Sequence, residues 1–147
     1  MPSRLTTATA TLETVVEAIT PPTDAARTYR KLDARAPREG ARGHRQFRFE
    51  PSSADLPIEQ GESHTVFQHR FEMRLAYSAR GKSYDDLFAA VVNEAVLIAN
   101  TVNTYGSSWG AGVSELRIDT YRREDLGGDD LEIVFDVLAE CEEIGGY

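Results

Sequence analysis

Cysteine occurs once and histidine three times in 147 residues, so little of the chain suits thiol chemistry, metal capture or proton shuttling. The single Cys141 has no internal partner for a disulfide, and its apolar neighbours on a candidate strand make it a structural thiol. CxxC, HExxH and the phosphate-binding glycine loop do not occur. No apolar run approaches the roughly 18 residues that a membrane-spanning helix needs. The opening MPSRLTTATATLETVVEAIT lacks the apolar core and cleavage site of a secretion signal, although its Thr, Ala and Arg content is faintly like a transit peptide. Cytoplasmic synthesis is the expectation.

What the chain does contain fits one soluble domain over residues 1–147, with 41% hydrophobic and 27% charged residues. A chain of this length buries about two-thirds of the surface its unfolded form exposes, enough for one core. Its net charge of -8 is unevenly spread. Met1 to Glu50 holds nine basic residues against six acidic ones, whereas Pro51 to Tyr147 holds seven against eighteen. Arg27, Arg30, Lys31, Arg35, Arg38, Arg42, Arg45 and Arg48, interleaved with Pro37, Gly40 and Gly43, read as a flexible basic arm at about 27–48. Such an arm suits nucleic acid or the acidic surface of a neighbouring subunit.

Leu12, Val15, Val16 and Ile19 fall at helical spacing and are stopped by Pro21 and Pro22, which predicts a short N-terminal helix. Ala25, Ala26, Tyr29 and Leu32 suggest another helical turn or two. HRQFRFE alternates as a strand, with Phe47 and Phe49 on one face, and Pro51 to Gly61 has no period and reads as a loop. In HTVFQHRFEMRLAYS the odd positions Phe67, Phe71, Met73, Leu75 and Tyr77 are apolar, and Gln68, Arg70, Glu72 and Arg74 lie between them. That pattern is a long strand with one wet face, longer than a small domain needs, so an end is free to project or to pair with another subunit.

Ser83 then caps a helix with Asp85 and Asp86 in its first turn. Its stripe of Tyr84, Leu87, Phe88, Val91, Ala95, Ile98 and Val102, widened by Val92, Val96 and Ala99, marks it as the main core helix. A glycine-rich loop follows that leaves Trp109 partly exposed, and two strands close the chain at about Val113 to Arg122 and Asp130 to Cys141. The predicted fold is α+β: a mixed or antiparallel sheet packed against one long core helix, with a short N-terminal helix and a C-terminal β-hairpin.

Between the last two strands lies GGDD, Gly127 to Asp130, which resembles the metal-binding hairpin of the diguanylate cyclases. In that reading Asp129 or Asp130 ligates magnesium. The chemistry also needs a second carboxylate on an earlier strand, where only Glu72 is on offer without a DxD signal, and Leu131 stands where that family carries phenylalanine. A glycine-rich turn is the better reading. His64 and His69 are an odd number of residues apart on a strand and point to opposite faces. Ser107 and Ser108 lack a nucleophile elbow. RQFRF has the aromatic and basic texture of RNA-binding sheets, but one pair of phenylalanines at period two is more often core. No catalytic residue, metal ligand or cofactor is expected.

FEMRLAYS running into SYDDLFAAVVNEAVLIAN, with TYRREDLGGDDLEIVFDVLAE near the end, is similar in pattern and element order to the tail terminator proteins of long-tailed bacteriophages. The resemblance covers about His64 to Glu140. It implies a non-enzymatic virion protein of the tail and neck: a homohexameric ring that caps the tail tube, stops its polymerisation and meets the head connector, with DNA passing through the lumen unbound. Another neck protein, a stopper or completion protein, is the alternative, and a small ligand-binding or enzymatic domain is a further one. Subunit contacts are expected at Arg30, Lys31, Arg35, Arg38 and Arg42 of the arm and at Arg122, Arg123, Glu124 and Asp125 near the last turn.

Overall fold

The computed structural model describes residues 4–23, 26–32, 44–51, 56–60, 64–78, 84–127 and 130–144. Helix α1 runs over Arg4–Glu17 and turns Ala8, Leu12 and Val16 inward at four-residue spacing. Threonine is a modest helix former, and here the hydroxyls of Thr9, Thr11 and Thr14 donate to the carbonyls of Thr6, Thr7 and Ala10, at 3.0, 3.1 and 3.2 Å. The helix ends ahead of Pro21 and Pro22, and Ile19 and Pro21 are buried just past it. Helix α2, Tyr84–Asn103, contains neither glycine nor proline. Its end is clamped to the sheet by Asn103, whose amide donates to the Ile118 carbonyl at 3.1 Å and accepts from the Ile118 N–H at 2.8 Å.

The strands are β1 (Arg30–Lys31), β2 (Gln46–Pro51), β3 (Leu56–Gln60), β4 (His64–Ser78), β5 (Val113–Gly127) and β6 (Asp130–Ile144). Five lie in the order β1-β2-β4-β6-β5, and β3 pairs with the half of β4 that β2 leaves open. Only the β1–β2 pair is parallel. β4 pairs with β6 along its whole length, from His64 opposite Ile144 to Ser78 opposite Asp130. β5 and β6 pair up to Gly127 opposite Asp130, which leaves a two-residue connection.

Both helices cover one face of this sheet. Phe71, Met73, Leu75 and Tyr77 of β4, Leu131, Ile133, Phe135 and Val137 of β6, and Phe47 of β2 meet the inward stripes of α1 and α2 in a single core. Between α2 and β5, Gly110 and Gly112 take φ values of 142° and 76° under the first turn of α1. A Cβ at Gly112 would lie 2.6 Å from the Arg4 side chain, which donates to the Ala111 carbonyl at 2.8 Å.

Several expectations are corrected here. The mixed sheet is not packed on one long core helix: two helices of 14 and 20 residues share its face. Even the longer spans about 30 Å, against roughly 50 Å for a fifteen-residue strand. α1 was underrated because Ala8, a small residue, completes its stripe. Residues 26–32 form no helix; they turn into β1. The expected loop at about 51–61 contains β3. β4 projects nowhere unpaired, because β6 has the same length. Trp109 is buried against Tyr105, with ring centroids 4.5 Å apart. Phe88, placed in the core from its spacing, is 45% exposed.

Candidate functional site

The expected contact residues fall at opposite edges of the sheet and at one level. Arg30 on β1 pairs with Gln46, which pairs with Ala76, then Glu132, then Glu124 on β5. The next row runs from Lys31 through Phe47, Leu75 and Ile133 to Arg123. Four strand spacings separate the two ends, roughly 19 Å. Arg30, Lys31, Arg122, Arg123 and Asp125 are exposed, and Glu124 is half-buried. Arg35, Arg38 and Arg42 lie outside the described residues, as do residues 128–129 of GGDD.

Arg45 and Arg48 do not belong to a flexible basic arm. Arg45, in the left-handed region at φ 65°, is buried and bonded to Glu94 of α2 through Nε at 2.9 Å and Nη2 at 2.8 Å. Its Nη1 and Nη2 also donate to the carbonyls of Arg27 and Thr23. The phenols of Tyr29 and Tyr77 donate to the same Glu94 oxygen at 2.6 and 3.1 Å. Burial, and then the Glu94 carboxylate, push both phenols well above their ordinary pKa. The cluster ties Thr23, Arg27 and Tyr29 to β4 and α2. It leaves no carboxylate oxygen or guanidinium edge open for a ligand.

Arg48 lies on the open face of the sheet, away from the helices, in a surface of alternating charge. Arg48, Arg74 and Arg122 share one row across β2, β4 and β5, with Val134 of β6 between the last two. On one side is an acidic row of Glu132 and Glu124, and on the other a row of Glu50, Glu72 and Asp136. Arg70 and Arg117 form the next row, and Glu140 and Glu115 the row beyond. Like charges directly opposite one another are unfavourable, so the arginines reach along and diagonally across the strands instead. Arg74 donates to Glu72 at 2.9 Å, Glu124 at 2.7 Å and Glu132 at 3.3 Å, and Arg122 donates to Glu72 at 2.8 Å. Arg48 and Arg74 both bond to Glu132, which is fully buried. The Arg122 hydrogen bond, aided by Arg74, holds the Glu72 carboxyl below its ordinary range, and the Arg74 bond does the same for Glu124.

The sign alternation within Arg48/Glu50, Glu72/Arg74 and Arg122/Glu124 is visible in the sequence. The cross-strand register that turns it into rows is not. Equally unread was the lone Glu94 within the inward stripe of α2. A second missed feature is the exposed stripe Phe88, Val92 and Val96, at 45%, 40% and 42%. Their spacing in the sequence predicts the core side, but each is one residue past Leu87, Val91 and Ala95, hence turned by 100°. Arg123 stacks over Phe88 at 5.2 Å, and Tyr121, also exposed, lies two residues along the same face of β5.

Among the described residues no three His, Cys, Asp or Glu side chains converge as a metal site. A shallow cleft of about 290 Å³ is lined by Val66, Gly112, Val113, Ser114, Glu140 and Glu142. Its hydroxyl, Ser114 Oγ, donates to the Glu140 backbone carbonyl at 3.2 Å and so has a carbonyl, not a base, as partner. No helix among the described residues is long and apolar enough to cross a membrane. No known protein family and no curated protein matches this sequence.

Proposed function

We propose that the chain is a structural, non-catalytic subunit of a closed ring, and that this ring is a phage tail terminator: a hexamer seated on the tail tube and facing the head connector. The reading rests chiefly on one observation. Arg30 and Lys31 lie at one edge of the sheet, and Arg122, Arg123, Glu124 and Asp125, a patch of mixed sign, lie at the other edge at about the same level. A contact that repeats head to tail needs two different and complementary patches on opposed sides of one subunit, and a rotation of sixty degrees per subunit closes six copies. An isologous dimer through the β1 edge would instead set like charge against like charge.

The open face fits such a role. Its arginines are ion-paired and outnumbered by carboxylates, so it offers passing DNA no cationic surface to bind. Both edges are also guarded against uncontrolled strand addition. β5 is charged and has register shifts at three places, and β1 is only two residues long. Electron microscopy of the purified protein tests the proposal. Six-fold rings are the expected result; monomers at every concentration, or two-fold dimers only, would contradict it.

A further inference from the structure

We infer that residues 26–32 form a strap that opens as a unit while the rest of the sheet stays folded, and that Tyr29 holds it shut on the buried Glu94 carboxylate. The strap does not depend on the ring reading.

Within 26–32 Tyr29 is buried and Leu32 half-buried, whereas Ala26, Arg27, Thr28, Arg30 and Lys31 are exposed. A segment with so little apolar burial is held mainly by hydrogen bonds, and such segments open ahead of the core. At β1 the Arg30 N–H donates to the Arg45 carbonyl at 3.0 Å and the Leu32 N–H to the Phe47 carbonyl at 2.6 Å. The Lys31 N–H donates to Glu17 at 3.4 Å, a long bond. Further anchors converge on one carboxylate. The Tyr29 phenol donates to Glu94 Oε1 at 2.6 Å, and Arg45, itself bonded to Glu94, grips the carbonyls of Arg27 and Thr23 at 2.9 and 2.8 Å. Arg45 does so from the left-handed region, at φ 65°, a conformation that costs an arginine free energy and that its surroundings must hold in place.

Tyr77 donates to the same Glu94 oxygen at 3.1 Å, but from β4, which β6 pairs along its whole length. The two phenols therefore serve different units: Tyr77 ties α2 to the centre of the sheet, and Tyr29 ties the strap to α2. Opening the strap uncovers the Arg45 and Phe47 carbonyls at the sheet edge and leaves the Tyr77 bond in place. Arg30 and Lys31 are carried on the strap. On the ring reading, a contact through that edge uses the closed form and shifts the population towards it.

Hydrogen exchange followed by NMR in the full-length chain tests this. The Arg30 and Leu32 amides should exchange at least tenfold faster than those in the β4–β6 ladder, and with less dependence on low urea, because the opening exposes little surface. Simple fraying of an edge gives the same result, so two variants decide. Tyr29→Phe keeps the ring and removes the bond; it should speed Arg30 and Leu32 together at least fivefold. The β4–β6 amides should quicken by the same factor, since the closed strap stabilises the whole domain. Tyr77→Phe should quicken the β4–β6 amides and leave Arg30 and Leu32 within twofold of wild type. Strap amides that follow the β4–β6 amides in the Tyr77 variant would overturn the inference, because the cluster would then open only as one body. An Arg30 amide unchanged by Tyr29→Phe would overturn it in favour of fraying that Glu94 does not control.

Discussion

Arg45 and Arg74 lie on opposite faces of one sheet and show how differently the two faces are held. Arg45 is enclosed on the helix side with a single carboxylate, Glu94, and backbone carbonyls accept its other hydrogen bonds. Arg74, on the open face, is partly exposed and lies within 3.3 Å of four carboxylates, those of Glu50, Glu72, Glu124 and Glu132. A buried ion has one arrangement that satisfies it, and losing the partner leaves a charge that water cannot reach. A half-exposed ion in a lattice can turn to another carboxylate or to water. The helix side should therefore be brittle and the open face tolerant.

The sharpest way to break this contrast is Glu94→Ala, which strands Arg45 and removes the acceptor of two phenols. Urea denaturation should show a loss of about 3–5 kcal/mol, a large part of the stability of an ordinary domain. Leu12→Ala comes next, at about 2–5 kcal/mol, because α1 is part of the core; a loss below 1 kcal/mol would mean that α1 only decorates the fold. Glu132→Ala probes the most enclosed member of the lattice and should cost about 1.5–3 kcal/mol, with Arg48 and Arg74 turning to their remaining acids. Arg117→Ala, on the same face but exposed with Glu115 and Asp119, should cost about 0–1 kcal/mol. An Arg117 effect as large as that of Glu94 would erase the distinction between the faces.

Acid and alkali should separate the faces as well. Glu72, Glu124 and Asp119 have folded pKa values below their unfolded ones, about 4.5 for Glu and 3.8 for Asp. The stability they contribute is present above those unfolded values and is lost as pH falls below them. Tyr29 and Tyr77 are shifted upward from 10.0, so their contribution is complete below pH 10 and fades above it. Replacing Tyr77 with Phe should flatten the alkaline limb of a stability profile and leave the acid limb unchanged.

Much of this architecture is legible in the sequence, and the misreadings have physical causes. The alternation of His64 to Ser78 shows which side chains of β4 face inward, because a period of two admits one assignment. A helix with a broad apolar stripe is less decisive. Leu87 and Phe88 are both apolar, and only the position of β5 shows that Phe88 faces out. β1 and β3 are short and without period, so pairing with β2 and β4 creates them. The basic residues from Arg27 to Arg48 read as one arm because charge was counted along the chain. In three dimensions Arg45 is enclosed, Arg48 joins the lattice, and Arg30 and Lys31 are left at the edge.

The head-to-tail contact between edges is tested most directly by cysteines placed at its two sides. Lys31→Cys and Asp125→Cys are both surface positions, and the native Cys141 is buried and does not compete. With both substitutions in one chain, mild oxidation should give a ladder of covalent oligomers that ends at about six times the 16.3 kDa subunit mass. Mixed single variants should stop at dimers made of one of each. Cross-linking of either single variant to itself, or no cross-linking in the double variant, would contradict the account.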